Sequence, residues 1–174
     1  TPSPTHYDAA IYFHINKSNI EPSYMGNQHT IDSLRTLFAN SKDIKSVKLM
    51  GYASPEGPLP FNKALAAKRA AAIKDYMTKN NIGASVPITV DSATTDWNAI
   101  KDWLNSSRIE NYLKIIAIID DNSIAEADKN AAIRKQFPVA YNFMFRQWYP
   151  KLRTTDISIE HTPAKTDVAT AKKL

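Results

Sequence analysis

The sequence predicts an α+β domain in which helices lie on a mixed four-stranded sheet, with an α-rich insertion ahead of the last strand. Three observations predict it. Up to Val90 the hydrophobic periodicity changes between that of a strand and that of a helix, in the order strand, helix, strand, helix, strand. Residues 93–150 then carry repeated helix-start signals and no clear strand, and Thr154–Glu160 alternates once more, with Ile157 and Ile159 on one face. A helix between two strands carries the chain back across the sheet, so this order calls for helices packed on a strand layer.

Thr1 to Tyr7, opening Thr-Pro-Ser-Pro, reads as a linker, and the absence of an initiating Met suggests a piece or mature form of something longer. Ala9–Ile15 is rich in β-branched and aromatic residues and reads as the first strand; Asn16 to Pro22 turns the chain. A helix is expected over Gly26–Asn40, where Ile31, Leu34, Leu37 and Phe38 recur at core spacing. Ile44–Met50 alternates and reads as a half-buried strand. The helix Phe61–Lys79 follows, ended by Asn80-Asn81-Ile82-Gly83, and Val86–Val90 is the third strand.

Inside the insertion, Trp97, Ile100 and Leu104 keep helical spacing behind a Thr95/Asp96 cap. Ser107-Arg-Ile-Glu110 and Ser123-Ile-Ala-Glu126 resemble capping boxes, and Pro138 suits the first turn of a helix running to about Trp148, which Pro150 stops. The apolar run Leu113–Ile119 fits a helix or a buried strand, which periodicity alone does not separate. Trp97, Trp103, Trp148 and Tyr149 lie at helical spacing and read as core. Beyond His161 the chain is Lys, Thr and Ala without core residues, and 162–174 reads as a flexible tail to a single domain over 8–161.

Composition narrows the function classes. With 43% hydrophobic and 22% charged residues the chain is ordinary for a globular domain, and its longest apolar run is far too short to span a bilayer. The net charge of +5 comes from lysines spread over outward helix faces, not from a basic patch interleaved with aromatics, so no nucleic-acid partner is expected. There is no cysteine, hence neither disulfide nor zinc thiolate. His6, His14, His29 and His161 stand singly, Asp120-Asp121 lacks the continuation of a calcium loop, and Ser54 has no nucleophile-elbow context. No metal, no cofactor and no catalysis are expected.

The residues that point to function lie between Ile44 and Tyr76. On a helical wheel of Phe61–Lys79, Leu65, Ala66, Ala70, Ala72, Ile73, Tyr76 and Met77 share one side with Asn62 and Arg69, which stand two turns apart. A guanidinium on a buried stripe needs a partner, either an internal carboxylate or a ligand. The preceding loop is stiffened by Pro55, Pro58 and Pro60, with Gly57 allowing positive φ, and it holds backbone N–H groups beside a helix N-terminus, a place that suits a carboxylate.

At these residues the chain resembles the OmpA-like domain. The family pattern is Gly-His-Thr-Asp, two residues, Gly, four residues, Asn, two residues, Leu-Ser, two residues, Arg-Ala. Here it reads Gly51-Tyr52-Ala53-Ser54, Gly57, Asn62, Leu65-Ala66 and Arg69-Ala70, with every spacing kept. The segment Ile11–Ile20 is similar to the family's first strand, with Asn16 at the position of an Asn or Asp. The resemblance implies non-catalytic anchoring to peptidoglycan, in the cell envelope on the periplasmic side of an outer membrane. It implies that Arg69 meets the carboxylate of diaminopimelate in the stem peptide, and that Asn62 and Asn16 contribute hydrogen bonds. The family's Asp, which meets the ammonium, is here Ser54, so Glu56 is the candidate replacement charge. The Ser-Pro-Glu-Gly loop looks like a variant of Bacteroidetes outer-membrane proteins. The alternative is a protein–protein module of a surface assembly with Arg69 in an internal salt bridge.

Overall fold

The computed structural model describes residues 5–40 and 43–162. The chain runs β1 (Thr5–Tyr12), α1 (Asn27–Asn40), β2 (Asp43–Gly51), α2 (Leu59–Lys79), β3 (Ile88–Ser92), α3 (Trp97–Ser107), α4 (Tyr112–Asp120), α5 (Glu126–Gln136), α6 (Pro138–Gln147), a 3₁₀ turn (Tyr149–Leu152) and β4 (Thr154–Thr162). The order in space is β1-β4-β2-β3, with β2 and β3 parallel and β4 antiparallel to both of its neighbours. The expected mixed α+β fold, four strands with an α-rich insertion before the last, is the fold observed.

Alternation fixes which strand face is buried. Ile11, Val47, Leu49, Ile157 and Ile159 point toward Ile31 and Leu34 of α1 and toward Ile73 and Met77 of α2, so both helices cover the same sheet face. The opposite face exposes Asp8, Lys48 and Ser158. The insertion builds a separate core from Ile100, Leu104, Ile115, Ile133, Met144 and Tyr149, among others, and thus does not depend on the sheet for its apolar burial. Leu113–Ile119 lies within helix α4.

Several boundaries differ from the sequence reading, each for a physical reason. Thr5–Tyr7 is strand and not linker, because β4 extends to Thr162 and pairs Thr5 with His161. At its other end β1 stops at Tyr12, since Phe13 N–H turns to the carbonyl of Arg153 and the chain enters a turn in which Lys17 N–H reaches His14. The third strand starts at Ile88 because Pro87 has no N–H and joins β2 only through its carbonyl, to Val47 N–H. Neither capping box forms: Ser107 is the last residue of α3, Ser123 gives its hydroxyl and N–H to Asp121, and Glu126 accepts from Thr94. Pro150 lies within the 3₁₀ turn, two residues beyond the start of the break after α6. The proposed linker residues 1–4 and tail residues 163–174 lie outside the described residues.

Asn27 is fully buried at the edge of the sheet. Its Oδ1 accepts Tyr12 N–H and its Nδ2 donates to the carbonyls of Tyr12 and Glu21, all within 3.0 Å, so the amide stands where another strand would be. Asn27→Ala leaves three backbone groups short of a partner. A loss of about 2–3 kcal/mol is expected, read as a lower urea midpoint with an unchanged slope. A change below about 0.5 kcal/mol would show that water replaces the amide freely.

Candidate functional site

The carboxyl ends of β1, β2 and β3 and the start of β4 meet at one end of the sheet, where their loops gather as they do at ligand sites of other α/β sheets. The loop Tyr52–Pro58 is tied down there by Tyr52 N–H to Thr154 and Ala53 N–H to Thr94, at 2.8 and 2.7 Å. Its approach to α2 is unusually close. Gly51 faces the backbone of Ala66, so that a Cβ at 51 would lie 1.9 Å from the Ala66 carbonyl oxygen. Gly57 does not use the positive φ open to a glycine; the positive-φ glycines among the described residues are Gly26 and Gly83. What Gly57 supplies is room, because a Cβ there would meet Asn62 Oδ1 at 2.7 Å.

Arg69 is wholly buried. Its Nε donates to Lys17, Nη1 to Tyr52 and Nη2 to His14, at 2.9 to 3.1 Å, and all three acceptors are main-chain carbonyls. The guanidinium carbon lies 5.5 Å from the centre of the Phe13 ring. Burial first, and then the charge of Arg153, push its pKa down to about 10, so it stays charged at neutral pH. Arg69 thus joins two loops from below, the one after β1 and the one after β2. Its internal partners are carbonyls and not a carboxylate, and in this structure it presents no surface to a ligand.

Above it lies a cleft of about 350 Å³ lined by Ile15, Asn16, Ser54, Glu56, Gly57, Pro58, Phe61, Asn62 and Leu65. Five of the six sequence candidates therefore share one wall or another of it. Asn16 is exposed at φ 58, on the stretch that Arg69 holds by its ends at His14 and Lys17. Asn62 is buried and gives its Nδ2 to the Gly57 carbonyl at 3.0 Å, which sets the loop against the helix and is not a helix cap. Ile15 and Phe61, both nearly half exposed, supply apolar rims.

Glu56 is paired from inside. Its Oε1 accepts from Ser54 Oγ at 2.9 Å and from Arg153 Nη2 at 3.0 Å, while Arg153 Nε donates to Ser54 Oγ at 3.0 Å. Oε2 of Glu56 is buried and has no partner. Arg153 was not legible as a site residue: it lies 97 positions away from Glu56, and an arginine ahead of a strand carries no local signal. Among the described residues no group of three or more His, Asp or Glu could hold a metal, and no helix is long and apolar enough to cross a membrane.

The sequence profile of the OmpA family matches residues 12–98, half of the chain, and that span contains the whole cleft. This chain belongs to the OmpA family. Three solved structures are similar to this chain. The OmpA-like domain of FopA1 from Francisella tularensis subsp. tularensis SCHU S4 is 15% identical, with 91% of this chain and 75% of that one covered and a TM-score of 0.48. A MotB-like protein from Desulfovibrio vulgaris is 10% identical over 92% of this chain and 76% of that one, at a TM-score of 0.48. The peptidoglycan-associated lipoprotein from Burkholderia pseudomallei is 19% identical over 47% of this chain and 66% of its own, at 0.35. No curated protein matches. The family span ends at the first turn of α3, so most of the insertion and all of β4 lie beyond it.

Proposed function

We propose that this OmpA-family domain is a non-catalytic binding module of the cell envelope that takes a peptidoglycan stem peptide in the cleft beside α2. The observation that carries the reading is the convergence of Asn16, Ser54, Glu56, Gly57 and Asn62, on two separated segments, around a single cleft. Backbone N–H groups at the start of α2 and the side-chain amides of Asn16 and Asn62 suit the peptide's carboxylate and carbonyl groups. Glu56 is the carboxylate on the lining and brings negative charge to an ammonium or peptide N–H. Arg69 contributes positive potential and holds the loops; direct contact with the diaminopimelate carboxylate would need it to leave its three carbonyls.

The test is co-sedimentation with sacculi of the diaminopimelate type. Asn16→Gly is the informative variant, because glycine accepts the backbone conformation at φ 58 and only the side chain is lost. Wild type is expected to pellet, and Asn16→Gly to bind about 5-fold or more weakly, the scale of one lost hydrogen bond. Wild type left in the supernatant would sink the reading and direct attention to protein partners of the envelope.

A further inference from the structure

Arg153 touches three parts of the molecule that are distant in sequence. Its side chain meets Ser54 and Glu56 of the cleft loop. Its main-chain carbonyl accepts Phe13 N–H at 2.7 Å, where β1 gives way to the loop that carries Asn16. Its guanidinium carbon lies 6.0 Å from the centre of the Phe145 ring, on helix α6 of the insertion. The side chain is itself only 8% exposed.

The three hydrogen bonds among Arg153, Ser54 and Glu56 close a triangle, and their placement is asymmetric. Both donors go to Oε1 of Glu56, which leaves the second carboxylate oxygen buried and without a partner. A buried carboxylate oxygen without a donor is unfavourable, so such an arrangement persists where something else holds the group in place. The planar fork of an arginine can do this, since Nε and Nη2 project in fixed relative directions onto two different acceptors. A lysine in its place offers one charge at one point.

We infer that Arg153 is a positioning residue of the cleft, through which the helical insertion fixes the loop Ser54–Gly57 and holds Glu56, the carboxylate of the lining, in place for an N–H donor of the ligand. The ligand part of this statement rests on the peptide-binding reading above, whereas the positioning part does not. The insertion is then more than an appendage: it sets the rigidity of one wall of the site, by way of Phe145 and Arg153. An ammonium and a peptide N–H are the two sources of such a donor, and they differ in their demand for charge.

The experiment uses the whole chain and two readouts. Backbone amide exchange by NMR, without ligand, is compared for wild type, Arg153→Lys and Phe145→Ala. The amides of Tyr52 and Ala53, which hold the loop to Thr154 and Thr94, are expected to exchange about tenfold faster or more in both variants, while amides of the middle of α2 and of β4 keep their rates. Wild-type rates at those two amides in a folded Arg153→Lys would overturn the inference, and wild-type rates in Phe145→Ala alone would overturn the part given to the insertion. Arg153→Gln strands a buried carboxylate and can fail to fold, so it is made together with Glu56→Gln. That double variant is expected to keep its thermal midpoint near that of Arg153→Lys and to bind sacculi about tenfold or more weakly than wild type. Glu56→Gln alone separates the donors: a large loss of binding identifies an ammonium, a small one a peptide N–H. Sacculus retention by the double variant equal to wild type would overturn the orienting role of the pair. Should wild type itself fail to pellet, the peptide reading falls and the exchange data still decide whether Arg153 positions the loop.

Discussion

Arg69→Ala is expected to cost this domain about 3–5 kcal/mol, the largest effect of any single truncation in the cleft region. Three carbonyls, of His14, Lys17 and Tyr52, lose their donor at once, and a cavity replaces a fully buried side chain. Water entering from the cleft can satisfy part of the deficit, which is why the figure stays below three full desolvation penalties. In a domain of this size a loss of that order lowers the thermal midpoint by roughly 10 °C, and the measurement is a urea titration checked by calorimetry. Arg69→Lys is expected to recover only part, because one ammonium cannot reach acceptors on two loops in three directions. Stability within 1 kcal/mol of wild type in Arg69→Ala would mean that water holds the loops as well as the guanidinium does. The same result bears on function assays: loss of wall binding in this variant reports collapse of both cleft walls, not loss of a ligand contact.

Gly51→Ala ranks second, with an expected loss of about 3 kcal/mol or more. The added methyl would meet the Ala66 carbonyl oxygen at 1.9 Å, its carbon at 2.9 Å and Ala70 N at 3.1 Å. All three are main-chain atoms in the middle of α2, so no rotamer change relieves the overlap, and the helix must lift from the sheet. Ala66→Gly therefore gives no rescue, in contrast to an ordinary side-chain clash. Lifting α2 also shifts Asn62 and Arg69, so amide exchange in the loops after β1 and β2 should accelerate along with the fall in midpoint. A stable, wild-type-like Gly51→Ala would show that helix and strand are not in the close contact described.

How much of this was legible in the sequence depends on how local each cause is. Helices and strands whose pattern is set by one buried face, such as α1 and β2, were readable because the period is a direct imprint of that face. The first four residues of β1 were not, since Thr5, His6 and Asp8 are exposed and their strand character comes from a partner over 150 positions away, as in the pairing of Thr5 with His161. The capping boxes failed for a related reason: Ser123 and Glu126 found better partners in Asp121 and Thr94, and a spacing rule cannot see competitors. At the site, the spacing from Gly51 to Arg69 picked out the residues that converge. It could not tell whether Arg69 faces a ligand or the backbone, because the helical wheel gives a direction and not what lies along it. Arg153 escaped entirely, being joined to its partners by tertiary structure alone.

The strand order has a consequence for how the chain is made. The strand β4 is the last of the described elements in sequence yet lies second in the sheet, between β1 and β2. During synthesis β2, α2 and β3 can assemble as they emerge, whereas β1 lacks its one strand neighbour until residues 154–162 arrive. For most of that interval the nascent sheet is open along the very line where its centre will be, a long-range closure of the kind that slows folding. An unstructured connection between β3 and β4 would add to that delay, because a longer floppy loop is harder to close. The insertion, with its own core, draws its ends together before closure begins and so hands β4 back near the gap it must fill.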